Sequence, residues 1–93
     1  MIRTFRDKDA ERILNRVRVK RFSLVLQKVA QRKLASLDAA ERLNDLRIPP
    51  ANRLEKLGGK RQDQYSIRIN DQWRICFTWE EGNVFDVEIV DYH

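Results

Sequence analysis

Tyr65-Ser66-Ile67-Arg68-Ile69-Asn70-Asp71-Gln72-Trp73-Arg74-Ile75-Cys76-Phe77-Thr78-Trp79 decides the fold of this chain. It reads as two strand-like alternations, 65–70 and 73–79, with a polar turn between them. A three-residue loop at Asn70-Asp71-Gln72 sets Ile69 opposite Trp73, Ile67 opposite Ile75 and Tyr65 opposite Phe77, which gathers the large apolar side chains on one face. A two-residue loop would set Ile67 against Arg74 and mix the faces, so the three-residue register is preferred.

The same logic carries across Glu80-Glu81-Gly82-Asn83 into Val84-Phe85-Asp86-Val87-Glu88-Ile89-Val90. Trp79 is expected near Phe85, Phe77 near Val87 and Ile75 near Ile89, giving three antiparallel strands with one apolar face for helices to cover. Ser66, Arg68, Arg74, Cys76 and Thr78 then share the opposite face with Glu88, Val90 and Tyr92. Arg68 and Arg74 fall directly opposite each other, and like charges so placed destabilise a sheet unless an anion lies between them. Two readings stay open. The face is an anion site suited to a phosphodiester, or it is an ordinary solvated face on which Glu88, diagonal to Arg74, neutralises the charge.

Toward the N-terminus, Ile2–Phe5 is a short strand candidate. Asp7 and Asp9 are possible caps for a helix carrying Ala10, Ile13, Leu14 and Val17 at helical spacing. Arg16-Val17-Arg18-Val19-Lys20-Arg21 is either a solvated loop or a phosphate contact. Ser23 can cap the main core helix, whose stripe is Leu26, Ala30, Leu34 and Leu37, with Gln27, Lys28, Gln31 and Arg32 toward water. Asp38-Ala39-Ala40-Glu41 has the spacing of a capping box, predicting a short second start through Leu46 before Pro49-Pro50 stops it. The segment 53–61 then concentrates cations around Gly58-Gly59, where a tight backbone is permitted; it lacks the spacing and the terminal Ser/Thr of a phosphate-binding P-loop.

Ninety-three residues suit one domain, 1–93, with a single modest core. Lys and Arg total 19 against 14 Asp and Glu, a net charge of +5, which favours a polyanionic partner such as nucleic acid. One cysteine, Cys76, excludes an intramolecular disulfide and suits a reducing compartment. No apolar run approaches the ~18 residues of a membrane span, and Met1–Arg6 is not followed by a signal-peptide core, so a soluble cytoplasmic protein without a membrane partner is expected. One histidine and one cysteine cannot supply a zinc site, and no metal or other cofactor is implied. That histidine, His93, closes the strand-like run. It is either a terminal surface residue or part of an active site, since imidazole alone titrates near neutral pH unaided.

Taken together, Asn52-Arg53-Leu54-Glu55-Lys56-Leu57, Gly59-Lys60-Arg61, the 65–77 stretch and the terminal Asp91-Tyr92-His93 resemble the HigB toxins of bacterial toxin-antitoxin modules, over nearly the whole chain. The resemblance implies the RelE-like α+β fold, with an antiparallel sheet, helices packed on one face and an RNA-cleaving site on the other. It also implies a ribosome-dependent endoribonuclease acting on translated mRNA without a metal, the RNA 2′-hydroxyl attacking the adjacent phosphate. The implied partners are the ribosome with its mRNA and an antitoxin of HigA type, whose helix-turn-helix domain would carry the pair to operator DNA.

Such cleavage needs a base, an acid and cations for the transition state. Arg61 and Arg74 fall on family positions associated with phosphate stabilisation, and Asp91, Tyr92 and His93 match the terminal catalytic group; Arg53, Lys56, Lys60 and Arg68 are the cations expected to hold RNA. Two positions depart from the pattern. Gly58 replaces the lysine of the Leu-Lys-Gly-Asp-Arg loop motif, and Glu55 stands where some relatives have a loop histidine, which implies a weakened nuclease unless Lys56 or Lys60 substitutes by reach. The competing readings are a ParE-like toxin that poisons gyrase on a related fold, and a non-catalytic RNA-binding module.

Overall fold

A computed structural model describes residues 1–92. Its helices are α1 (Lys8–Leu14) and α2 (Leu24–Ala39), and its strands are β1 (Glu55–Lys56), β2 (Gln64–Arg68), β3 (Trp73–Glu80) and β4 (Asn83–Asp91). The strands form one antiparallel sheet in chain order, an α+β arrangement consistent with RelE-like toxins. Asp7 caps α1, its carboxylate accepting from the Asp9 N–H at 2.9 Å, and the Ser23 hydroxyl caps α2 by accepting from the Leu26 N–H at 3.1 Å.

The first hairpin has the register expected from its side chains: Tyr65 pairs with Phe77, Ile67 with Ile75 and Arg68 with Arg74. The second agrees only beyond a bulge. Ile75 does pair with Ile89, but nearer the turn Trp79 pairs with Val84 and Thr78 with Phe85, one residue out of step with the expectation. The turn is a tight one with Glu81 and Gly82 both at positive φ, 50° and 82°, and it fixes the shorter register. Asp86, at φ 55°, then inserts the extra residue that restores alternation. Val84 therefore takes the core position that spacing assigned to Phe85.

Ile67, Ile75, Phe77, Val84, Val87 and Ile89 pack with Ala10 and Ile13 of α1 and Ala30, Leu34 and Leu37 of α2 to make the core. The segment before α1 is joined to β4 by parallel bridges at Ile2–Val84 and Phe5–Val87 rather than as a full strand, and Asp38 accepts from the Ile2 N–H at 2.8 Å.

Several local expectations need correction. Gln27 is buried: its Oε1 accepts from the Val19 N–H at 2.9 Å and from Arg18 at 2.7 Å, and its amide donates to the Val17 carbonyl at 2.9 Å. It thus satisfies a loop backbone that burial would otherwise leave unpaired. Val17 lies beyond α1 and is exposed. Arg18 also donates to the Val19 and Phe22 carbonyls, and Arg21 pairs with Asp9 at 2.7 Å and Asp7 at 3.4 Å, so these two exposed cations of the 16–21 stretch already have partners within the chain. The capping box at Asp38–Glu41 does not form, because α2 continues through Ala39. Asp45 instead receives the Glu41 and Arg42 N–H groups, at 3.1 and 3.0 Å, and starts a 3-10 turn at Leu43–Arg47. The short edge strand β1 was not visible as a pattern, being only two residues long.

Candidate active site

Arg74 stands near the start of β3 on the face away from the helices, where period-two alternation sets it with Ser66, Cys76 and Glu88. A row of side chains crosses the whole sheet beside it: Glu55, Ser66, Cys76 and Glu88, one from each strand. Ser66 and Cys76 are fully buried and Arg74 is only 7% exposed, because the 50–61 segment folds back over this face. Leu57 and Cys76 are buried outside the main core cluster, so the face has a small dry floor of its own.

The Arg74 guanidinium is fixed by neutral acceptors. Nε donates to Ser66 Oγ at 2.8 Å, and one terminal nitrogen donates to the Arg53 carbonyl at 2.6 Å and the Ser66 carbonyl at 3.4 Å. The Arg53 carbonyl reaches it because Arg53 is left-handed, φ 44° and ψ 58°, after the 3-10 turn Pro50–Asn52. That turn is anchored by buried Asn52, whose amide donates to the Leu46 carbonyl at 3.1 Å and whose oxygen accepts from Lys33. Burial holds the Lys33 ammonium below the ordinary lysine range, with Arg32 and Arg68 adding to the shift. Among the described residues the carboxylate paired with Arg74 is that of Glu55, at 3.8 Å and half exposed, and the Tyr92 ring lies 5.6 Å from the guanidinium carbon.

Glu88 does not neutralise Arg74. It pairs with Arg61 at 2.7 Å, and Arg61 also donates to Gln64 Oε1 at 2.8 Å; the Glu88 carboxylate raises the Arg61 pKa further above its already high ordinary value. Arg68 turns away to an exposed ion pair with Asp71. The two opposed arginines are thus separated by different partners, and no anion between them is required for the sheet to form. Burial pushes the Cys76 thiol up, outweighing the pull of Arg61 and Arg74, which leaves it protonated as a packing residue.

The remaining sequence candidates divide. Tyr92 is 45% exposed on the Arg74 side. Asp91 pairs in register with Trp73, on the helix side of the sheet edge, and accepts from the Gln72 amide at 3.1 Å; alternation therefore separates it from Tyr92. His93 lies outside the described residues. Lys56 is exposed on β1, in register with Tyr65. Lys60, in the 3-10 turn Gly59–Arg61, lines an open cleft of about 360 Å³ together with Arg61 and, unexpectedly, Arg6. Spacing put Ser66 on the polar face without marking it as the partner of Arg74, and it did not mark Arg6 at all. Ser66 shares the alternation of Arg74, which was a usable signal, whereas nothing in the sequence brings Arg6 to the 59–64 turn.

A family model for HigB-like toxins, described as the RelE-like toxin of type II toxin-antitoxin system HigB, matches residues 3–93. The chain is 53% identical over 51 residues to Toxin HigB-1 of Vibrio cholerae serotype O1, an alignment covering 55% of this chain and 54% of that protein. It is 49% identical over 59 residues to an uncharacterized protein of Haemophilus influenzae, covering 63% of this chain and 58% of that one. The alignments thus span little more than half the length of these curated relatives.

Proposed function

The chain belongs to the HigB-like family, the RelE-like toxins of type II toxin-antitoxin systems, and from that premise we propose that residues 1–93 are one toxin domain acting as a ribosome-dependent endoribonuclease on translated mRNA. The observation that carries this reading is the Arg74 guanidinium. It is buried and held by a hydroxyl and two carbonyl oxygens, so its geometry is fixed, and among the described residues its one ion pair is a long one to Glu55 at 3.8 Å. A preorganised cation of that kind suits charge developing on a phosphoryl group.

In the proposed reaction the 2′-oxygen forms a bond to the adjacent phosphorus and the P–O5′ bond breaks, with one proton leaving the 2′-hydroxyl and one reaching the 5′-oxygen. Arg74 stabilises the non-bridging oxygens and Arg61 joins it by exchanging Glu88 for phosphate. Tyr92 offers a ring for stacking an unpaired base. His93 is the proposed proton carrier, Asp91 standing on the helix side of the sheet edge away from Arg74, and Arg53, Lys56, Lys60 and Arg68 are the proposed backbone contacts. The orienting of flexible mRNA falls to the ribosome, because the cation-lined surface is shallow and open. An antitoxin of HigA type, with a helix-turn-helix domain that would carry the pair to operator DNA, is the proposed partner, and the cytoplasm the proposed compartment.

Mapping transcript 5′ ends after induction tests the proposal. New ends inside translated codons, lost when translation initiation of the same transcript is blocked, are the expected result. Unchanged transcripts with gyrase retained on the purified protein would replace the nuclease with a gyrase poison.

A further inference from the structure

Arg6 is positioned by backbone, not by side-chain pairing. The bridge at Phe5–Val87 and the Arg6 N–H donating to the Val87 carbonyl at 2.9 Å pin it beside β4, next to Glu88. Arg6 lines the 360 Å³ cleft with Lys60, Arg61, Asp63 and Gln64. Among the described residues neither Arg6 nor Lys60 has an ion-pair partner, and Asp63 is the one carboxylate among the lining residues. The cleft is therefore cationic even with Arg61 held by Glu88. Arg61 is also a shared wall: it lines the cleft, and its guanidinium pairs with Glu88 at the end of the residue row that flanks Arg74.

We propose that this cleft is a second phosphate subsite, in which Arg6 and Lys60 take a phosphodiester of the same single-stranded RNA whose scissile phosphate sits at Arg74. The identity of the strand rests on the nuclease reading. An open polar cleft with exposed cations suits a backbone phosphate, which needs charge and little shape, and phosphates recur along one strand at short intervals. The pairing also supplies what Gly58 removes from the loop, a cation drawn instead from the N-terminal segment.

The test is the salt dependence of binding to a short single-stranded oligoribonucleotide carrying 2′-O-methyl groups, which blocks cleavage. Arg6→Gln and Lys60→Gln should each flatten the slope of log K against log salt by about 0.7, the value for one lost phosphate contact on a single strand. Arg6→Lys should keep the wild-type slope, and Lys28→Gln, on the outer surface of α2, should not alter it. Arg6→Gln should melt with the wild type, since its side chain carries no ion pair. A wild-type slope in Arg6→Gln, or no wild-type binding at low salt, would overturn the subsite. Because the oligonucleotide cannot be cut, a flattened slope beside an absence of ribosomal cleavage would sink the nuclease and leave the subsite standing. Cleavage beside an unaltered slope would do the reverse.

Discussion

The two faces of the sheet are equally dry at their centres and built on opposite principles. On the helix side Ile67, Ile75, Phe77 and Val87 are fully buried among aliphatic groups of α1 and α2. On the other side Ser66 and Cys76 are fully buried and Arg74 nearly so, among loop carbonyls and hydroxyl oxygen. Dispersion and hydrophobic burial are non-directional, so the first face tolerates exchange of shape for shape. Hydrogen bonds to a guanidinium are directional, and removing one partner leaves the other unsatisfied. The first face thus sets stability and the second sets the geometry of a charge.

That contrast can be broken first on the helix side. Phe77→Ala should cost about 3–5 kcal/mol, the range for large core truncations, and should lower thermal stability before any effect on RNA is seen. A melting temperature within a degree of the wild type would show that Phe77 is not the centre of the core. On the polar face, Arg74→Gln should reduce cleavage by about 10²–10³-fold, as for loss of one preorganised transition-state donor. Its stability loss should stay smaller, about 1–3 kcal/mol for the Ser66 and Arg53 oxygens left short of a donor. A soluble variant with full cleavage would remove Arg74 from the site.

The helix-side face was legible because strand alternation repeats over many residues: Ile67, Ile75 and Ile89 fell into place from spacing alone. The one-residue shift at Phe85 escaped the spacing because a bulge at Asp86 leaves no compositional mark beyond one residue able to adopt positive φ. The polar face was legible only as a set of residue types. Its partners come from backbone atoms at Arg53 and side chains at Glu55 and Arg61, all in irregular or very short elements, and no periodicity ties those to β3. For the same reason spacing left open whether Glu88 neutralises Arg74, and the geometry gives it to Arg61 instead. Asp91 and Tyr92, adjacent in sequence, were read as one group, although alternation points them apart.

Smaller effects sharpen the comparison. Gly58 has extended backbone, φ −118°, and an added Cβ would meet nothing within 4 Å, whereas Gly59 is at φ +61° and needs its freedom. Gly58→Lys should therefore fold normally and raise cleavage a few-fold by restoring the loop cation, while Gly59→Lys should be strained. Unaltered cleavage by a stable Gly58→Lys would argue that Lys60 and Arg6 already supply that charge. The smallest effect belongs to Lys33. Its folded pKa lies below 10.5, so as pH rises through the folded pKa toward 10.5 the unfolded chain holds more protons and folding stability increases. Urea melts of wild type and Lys33→Met should diverge in favour of wild type across that window, and a flat difference would mean the ammonium is not desolvated.

The central claim is that the polar face performs ribosome-assisted RNA cleavage around Arg74. Purified toxin mixed with one mRNA, either free or bound in translating ribosomes, tests it most directly when read by primer extension. Cuts should fall within codons of the ribosome-bound transcript, the rate should drop at least a hundredfold with Arg74→Gln, consistent with loss of a transition-state donor, and the free transcript should stay largely intact. Equal cleavage of the free transcript, or an Arg74→Gln protein that cuts as fast as the wild type, would contradict it.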